Sequence, residues 1–277
     1  MARTATRRFL QVMVNRGPWG FCVLAAQKIG QKLHLVQKEG TAAIAKAASE
    51  AKPIHPFDEE YGTETSGLIW GEDLSSGHRN DLWSTAYYGI SPSLLTKVIE
   101  SLGLDWERFT FIDLGSGKGR ALLVASRFPF HKIIGVEFIP ELSKAAVANI
   151  AKFSAPWKRC SQIEAMNGDA TEFAYPEGPL VIYLFNPFLA PVLKKCLKQL
   201  ARVLSKQPRE IYLIYANPAF ERLVEKHIPQ MERQWERTFA FTREEAAADR
   251  FGSCEEKVIL WKYSMEPREQ TSRQRGL

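Results

Sequence analysis

From Phe109 onward the chain alternates short apolar runs with amphipathic segments, and this alternation restricts its fold more than any other feature. The apolar runs are FTFIDLG, KIIGVEF, QIEAMNGD, LVIYLFNP and EIYLIYANP; the segments RALLVASRF, PELSKAAVANIAKF, APVLKKCLKQLARVL and AFERLVEKHI follow four of them. A parallel neighbour is reached only by crossing a sheet face, so the pattern predicts parallel strands with crossover helices, an α/β doubly wound sheet. After the fifth strand the pattern changes. QWERTFAFT and EKVILWKY, joined by the loop REEAAADRFGSCE, predict an antiparallel, hairpin-like edge that brings the mostly parallel sheet to seven strands.

Upstream of the sheet the organisation is looser. Residues 1–52 read as a basic helical arm that ends before Pro53 and Pro56. Residues 53–108 read as a pre-sheet segment: first an irregular stretch rich in Gly, Ser, Asp and aromatics, of the kind that forms lids, then the helix SPSLLTKVIESLGL. In that helix Leu94, Leu95, Val98, Ile99 and Leu102 share one face. Residues 109–265 form the main domain, and the charged tail 266–277 is expected to be disordered.

Charge and cysteine usage narrow the partners. The whole chain carries +6, but residues 1–38 alone carry +7 and no acid, which leaves −1 for the remainder. A nucleic-acid enzyme needs a basic face over its cleft, and a nearly neutral main domain argues against nucleic acid as a partner. The arm has no apolar run of the roughly 20 residues that span a bilayer. Three readings fit it: a helix packed on the domain, a basic segment lying on an anionic membrane through residues 1–38, or an acid-poor transit peptide. A cytoplasmic location is expected on the first, membrane association on the second and an organelle on the third. The four cysteines form no C-x-x-C pair and the five histidines no H-x-x-H spacing, so no metal is implied.

The run Asp113-Leu114-Gly115-Ser116-Gly117-Lys118-Gly119 closes the first strand, where open α/β sheets bind their ligands. It is not a phosphate-binding loop, because Gly117-Lys118 is followed by Gly119 rather than a hydroxyl residue. It is not a dinucleotide fingerprint either, because the third glycine position falls on Arg120. A carboxylate followed by alternating glycines suits a ligand with an ammonium head that the backbone approaches closely. The run resembles the first motif of the class I (seven-strand, Rossmann-like) methyltransferases that use S-adenosylmethionine (SAM). That resemblance spans about Tyr87 to Tyr263. It implies a cofactor site of Asp113, Gly115, Ser116, Gly117 and Gly119, with Glu137 and Phe138 after the second strand at the ribose, and Asp169 and Ala170 after the third at the adenine.

The fourth strand ends Asn186-Pro187-Phe188, where the resemblance places the chemistry. This turn is similar to the N-P-P-[YF] of enzymes that methylate adenine or glutamine amino groups, with one proline missing. The Tyr87-Tyr88 stretch ahead of Ser91-Pro92-Ser93 is similar to the non-SET lysine methyltransferases, in which the pre-sheet segment covers the cofactor. The candidates for the acceptor side are therefore Asn186, Pro187, Phe188 and Tyr88, with Asn186 also beside the cofactor and Tyr61 and Trp83 as lid residues. The expected reaction is methyl transfer from SAM to a nitrogen of a protein lysine or another amino or amide group, on a macromolecular acceptor. The competing readings are a catalytically inactive binding module, a nucleic-acid base methyltransferase and a nicotinamide oxidoreductase.

Overall fold

The computed structural model describes residues 54–71, 73–77, 79–249 and 254–264, so the expectations for the basic arm and the tail lie outside the described residues. The sheet has seven strands in the order β3-β2-β1-β4-β5-β7-β6. These are β1 (Thr110–Leu114), β2 (Lys132–Glu137), β3 (Ile163–Asn167), β4 (Leu180–Phe185), β5 (Ile211–Ala216), β6 (Glu232–Ala240) and β7 (Glu255–Tyr263). The first five run parallel, and β7 pairs antiparallel with both β5 and β6. This is the predicted architecture.

Helices cover both faces. Helix α1 (Pro56–Tyr61) precedes α2 (Pro92–Glu100), α3 (Arg120–Ala125) and α4 (Pro140–Lys152); α5 (Ala190–Lys206), α6 (Arg222–His227) and α7 (Arg243–Ala248) follow. On one face Leu94, Leu95, Val98 and Ile99 of α2 join α3 against Phe111, Tyr183 and Ile214. On the other, Val192, Leu193, Cys196, Leu197 and Leu200 of α5 and Val224 of α6 pack on Ile112, Ile182 and Leu213. The alternation along each strand sends odd and even side chains to opposite cores, which is why the central strands read as unbroken apolar runs.

Two regions depart from the sequence reading. Pro56 starts a helix rather than closing one, because proline at the first helical position lacks only an amide that would be unbonded anyway. His55 caps that helix, its Nδ1 accepting from the Phe57 amide at 3.1 Å. The loop between β6 and β7 likewise contains α7, begun by a reciprocal capping box of Thr242 and Glu245. Among the described residues no helix is long and apolar enough to cross a membrane, and no cluster of three metal-ligating side chains occurs.

Candidate functional site

The carboxyl ends of β1, β2 and β4 enclose a cleft of about 700 Å³, counted to its open mouth. Gly115 and Gly117 shape one wall, and with Gly119 they lie in the left-handed backbone region. A Cβ on Gly115 would lie 2.3 Å from Pro187 Cβ, and one on Gly117 would lie 2.3 Å from the ring of Tyr87. Both positions therefore need glycine for space as well as for backbone angle. Gly119 caps the short α3, whose six residues are all buried.

Two carboxylates face this cleft. Asp113 is 3% exposed and Glu137 is 7% exposed. Burial, followed by the neighbouring charge of Glu137, pushes Asp113 well above the usual carboxylate range. Burial also raises Glu137, opposed by backbone amides that donate to it. Its Oε2 accepts from Gly117 N at 2.8 Å and its Oε1 from Ile139 N at 2.9 Å. Glu137 thus fixes the glycine turn before it meets any ligand, a structural duty that its position at a strand end does not reveal.

Beyond Glu137 the cleft continues into a slot of about 330 Å³ lined by Phe138, Asp169, Ala170, Phe188 and Val192, with Trp83 at its mouth. Asp169 folds its own loop by accepting from Thr171 N at 2.8 Å. The cofactor-side candidates therefore converge on one continuous cavity, except for Gly119, which caps α3, and for Asn186. That side chain is 1% exposed and is not a wall of the cleft. Its Oδ1 accepts from Tyr215 Oη at 3.1 Å, and its backbone oxygen accepts from Thr85 Oγ1 at 2.9 Å. The Pro187 carbonyl accepts from the Thr85 amide at 3.4 Å. The acceptors that an N-P-P-[YF] turn would aim at a target amino group here accept bonds within the protein; Asn186 is not among the cleft's walls, whereas Pro187 lines it. Phe188 does line the cleft, as does Tyr88, whose ring meets Phe185 edge-on at 4.8 Å and whose hydroxyl accepts from Asn217 Nδ2 at 3.1 Å.

The pre-sheet segment is strapped across this cavity. Ser84 bridges Phe188, and Tyr87 bridges Ile69. Tyr87, which lies against Gly117, donates its hydroxyl to Thr65 O at 2.7 Å. Arg120, the residue that breaks the dinucleotide fingerprint, is the anchor. Its Nε donates to Thr65 Oγ1 at 2.7 Å and its guanidinium faces Asp58 at 3.6 Å, both side chains being almost wholly buried. Asp58 also accepts from the Thr63, Thr65 and Ser66 hydroxyls. Burial alone would raise its pKa, but these bonds and Arg120 hold it below the usual value. The expected lid residue Tyr61 is elsewhere: it packs on Phe57, Phe153 and Trp157. The sequence reading missed Asp58, Thr65 and Arg120, since a buried ion pair between segments 62 residues apart leaves no local pattern.

These residues fit SAM. The buried Ser116 Oγ has no protein partner, and two carboxylates of raised affinity for protons favour a ligand that brings a cation and hydroxyl donors. Asp113 would hold the ammonium, Glu137 the ribose hydroxyls, and the slot of Phe138, Ala170 and Phe188 the adenine.

Residues 78–167 match the family model described as histone methylation protein DOT1. No curated protein matches the chain by sequence. Among solved structures, an RNA methyltransferase from Salinibacter ruber in complex with S-adenosyl-L-homocysteine is 19% identical, covers 65% of this chain and 97% of its own, and has a TM-score of 0.39. A SAM-dependent methyltransferase from Methanosarcina mazei is 14% identical over 61% and 98% at a TM-score of 0.44. The ribosomal protein L11 methylase from Lactobacillus delbrueckii subsp. bulgaricus is 13% identical over 62% and 79% at 0.41. Similarities this low say nothing of a substrate. The Asp113–Gly119 turn and Glu137 beyond it both fall inside the matched segment: residues 78–167 are similar to a histone-methylation family, within a sheet of the mostly parallel seven-stranded form that the sequence predicts.

Proposed function

We propose that the protein transfers the methyl group of SAM to the side-chain nitrogen of a protein lysine. The observation that carries this reading is the pairing of a segment similar to a histone-methylation family with a strap-covered cleft whose acceptor side is aromatic: Tyr88, Tyr183, Phe185 and Phe188. The cofactor supplies a methyl group on a positively charged sulfur. A lysine must present a neutral amine to it, and aromatic walls that destabilise an ammonium favour proton loss to water before transfer. The nitrogen lone pair then forms the new N–C bond as the S–C bond breaks, the electron pair returning to sulfur. The wall residues contribute orientation and exclusion of water rather than strong acid or base catalysis.

The burial of Asn186 against Tyr215, away from the cleft wall, favours an alkyl amine over a planar amino group, because the side-chain acceptor that would grip such a group is turned into the protein. The test is transfer of tritiated methyl from SAM to a cell extract, followed by nuclease digestion, complete acid hydrolysis of the protein fraction and chromatography. Label in Nε-methyl-lysine is the expected result. Label that disappears with nuclease, or that appears in another amino acid, would overturn the lysine reading.

A further inference from the structure

Helix α5 carries its charge in a way that stability alone does not explain. Its 17 residues, APVLKKCLKQLARVLSK, hold five cations and no carboxylate. Val192, Leu193, Cys196, Leu197 and Leu200 turn to the core, while Lys194, Lys195, Lys198, Arg202 and Lys206 are exposed. Lys194, Lys198, Arg202 and Lys206 follow one another at intervals of four residues, so each meets a like charge one turn away, which weakens a helix. A solvated helix face ordinarily interleaves acids with its bases. Elsewhere on this surface that rule holds: Glu236 serves both Arg233 and Lys257, and Glu164 serves Lys132. Among the described residues no carboxylate pairs with a cation of α5.

Helix α6 extends the positive field. Its Glu225 faces Arg233 at 3.8 Å, and its Lys226 is exposed. His227, the last residue of α6, reveals the local balance. After burial, the charges that act on it are those of Lys198, Lys194 and Lys226; all lower its pKa, and no carboxylate opposes them. The near-neutral sum of the main domain therefore hides a segregated basic face.

The face starts at the rim of the cleft. Phe188, a wall of the cleft, precedes the first residue of α5 by two positions, and Val192 lines the slot beyond Glu137. The helix leaves the carboxyl end of β4 and returns to the start of β5, so it runs from the rim down the side of the domain. At 1.5 Å per residue, Lys194 stands about 6 Å and Arg202 about 18 Å along the axis from Ala190. None of the exposed large apolar side chains belongs to α5, so the face offers no ring for a stacked base and no anchor for a bilayer. A protein that fills the cleft can continue over the rim onto these cations.

Resting on the lysine reading above, we propose that the exposed face of α5 docks an acidic segment of the acceptor protein, with Lys194, Lys198 and Arg202 pairing its carboxylates while a lysine a few residues away enters the cleft. The interval from Lys194 to Arg202 is about 12 Å, which an extended chain covers in about four residues. The methylated lysine is thus one that neighbours a short acidic run.

The test uses the full-length protein and an acetylated fluorescent peptide in which one lysine stands between two runs of four glutamates, with glutamines in place of the glutamates as control. Two triple variants are compared with the wild type. Lys194→Gln/Lys198→Gln/Arg202→Gln strips the face; Lys97→Gln/Arg108→Gln/Lys144→Gln removes equal charge from exposed positions on other elements. Both keep residues 1–38, whose attraction for the peptide cancels in the comparison, and both should melt no lower than the wild type. The expected result is that the first variant alone binds the glutamate peptide about tenfold more weakly and raises the KM of the labelled acceptor by a similar factor, with SAM affinity unchanged. The glutamine peptide should not distinguish the three proteins. Equal weakening by both variants, or by neither, would overturn the proposal. So would a first variant that keeps the glutamate peptide but loses a DNA duplex or phosphatidylserine vesicles. If label enters another amino acid of a protein and the first variant still raises that acceptor's KM, the lysine reading falls and the docking face stands. If the wild type labels lysine and the first variant behaves like it, the face alone is wrong.

Discussion

Replacing Gly117 by alanine separates a glycine required for the cofactor turn from one that is merely present in it. The residue sits at φ +56°, and an added Cβ would lie 2.3 Å from Cε2 and 2.6 Å from Cδ2 of Tyr87. Carbon atoms rest at about 3.5–4.0 Å, so the ring or the turn must retreat by about 1 Å or more. The ring cannot swing freely, because its hydroxyl is bonded to Thr65 O at 2.7 Å and Thr65 is held in turn by Asp58 and Arg120. The left-handed alanine costs about 1–2 kcal/mol and the overpacking about 1–3 kcal/mol, together about 2–5 kcal/mol. At about 1.4 kcal/mol per decade, SAM affinity should fall at least about thirtyfold if the turn relaxes without ligand. If the turn does not relax, the same energy appears as a lower melting temperature. Calorimetric titration with SAM and thermal unfolding, run together, capture both cases. Adding Tyr87→Leu should recover the steric part and leave about 1–2 kcal/mol. A Gly117→Ala protein that melts like the wild type and binds SAM within about threefold would refute the reasoning.

Three further outcomes follow from the buried ionisable groups. Folding raises the pKa of Asp113, so the ligand-free protein loses stability as pH climbs from the ordinary carboxylate range through the raised value. Asp113→Asn should therefore melt higher than wild type at pH 7 while binding SAM about tenfold or more weakly; a lower melting point would contradict this. Asp58→Ala strands a buried guanidinium and should cost about 3–5 kcal/mol in denaturant unfolding, whereas an unchanged midpoint would show that the pair is not structural. Because Asp58 titrates below its usual value, the stability it provides is present above the ordinary carboxylate range and is lost as pH falls through the lower one. Burial, aided by Arg120, holds His55 down to about 4 from 6.5, so its contribution is full above 6.5 and declines as pH falls toward 4. His55→Asn keeps a cap acceptor without titrating, and its stability should vary less across that interval.

The sheet was legible because each central strand is a short apolar run and each crossover has helical periodicity; nothing outside those segments is needed to place them. The Asp113–Gly119 turn was legible for a related reason, since all its demands fall on consecutive residues. What escaped were interactions between distant parts of the chain. Asn186 reads as a catalytic asparagine in LFNPF, yet Tyr215 and Thr85, on other elements, claim its two oxygens. Arg120 reads only as a missing glycine until Asp58 is seen beside it. The two short helices α1 and α7 were hidden by their length, six residues each, which is less than two turns of periodicity.

The Asp58–Arg120 pair has a consequence for turnover. Arg120 opens the very helix that follows the glycine turn, while Asp58 belongs to the strap, so one charged contact ties roof to floor. Lifting the roof far enough to exchange spent cofactor would pull a guanidinium and a carboxylate apart while both are still shielded from water. Departure of the product and rupture of that clasp would then be a single event, and ionic strength would hardly touch its rate, because buried charges are poorly screened.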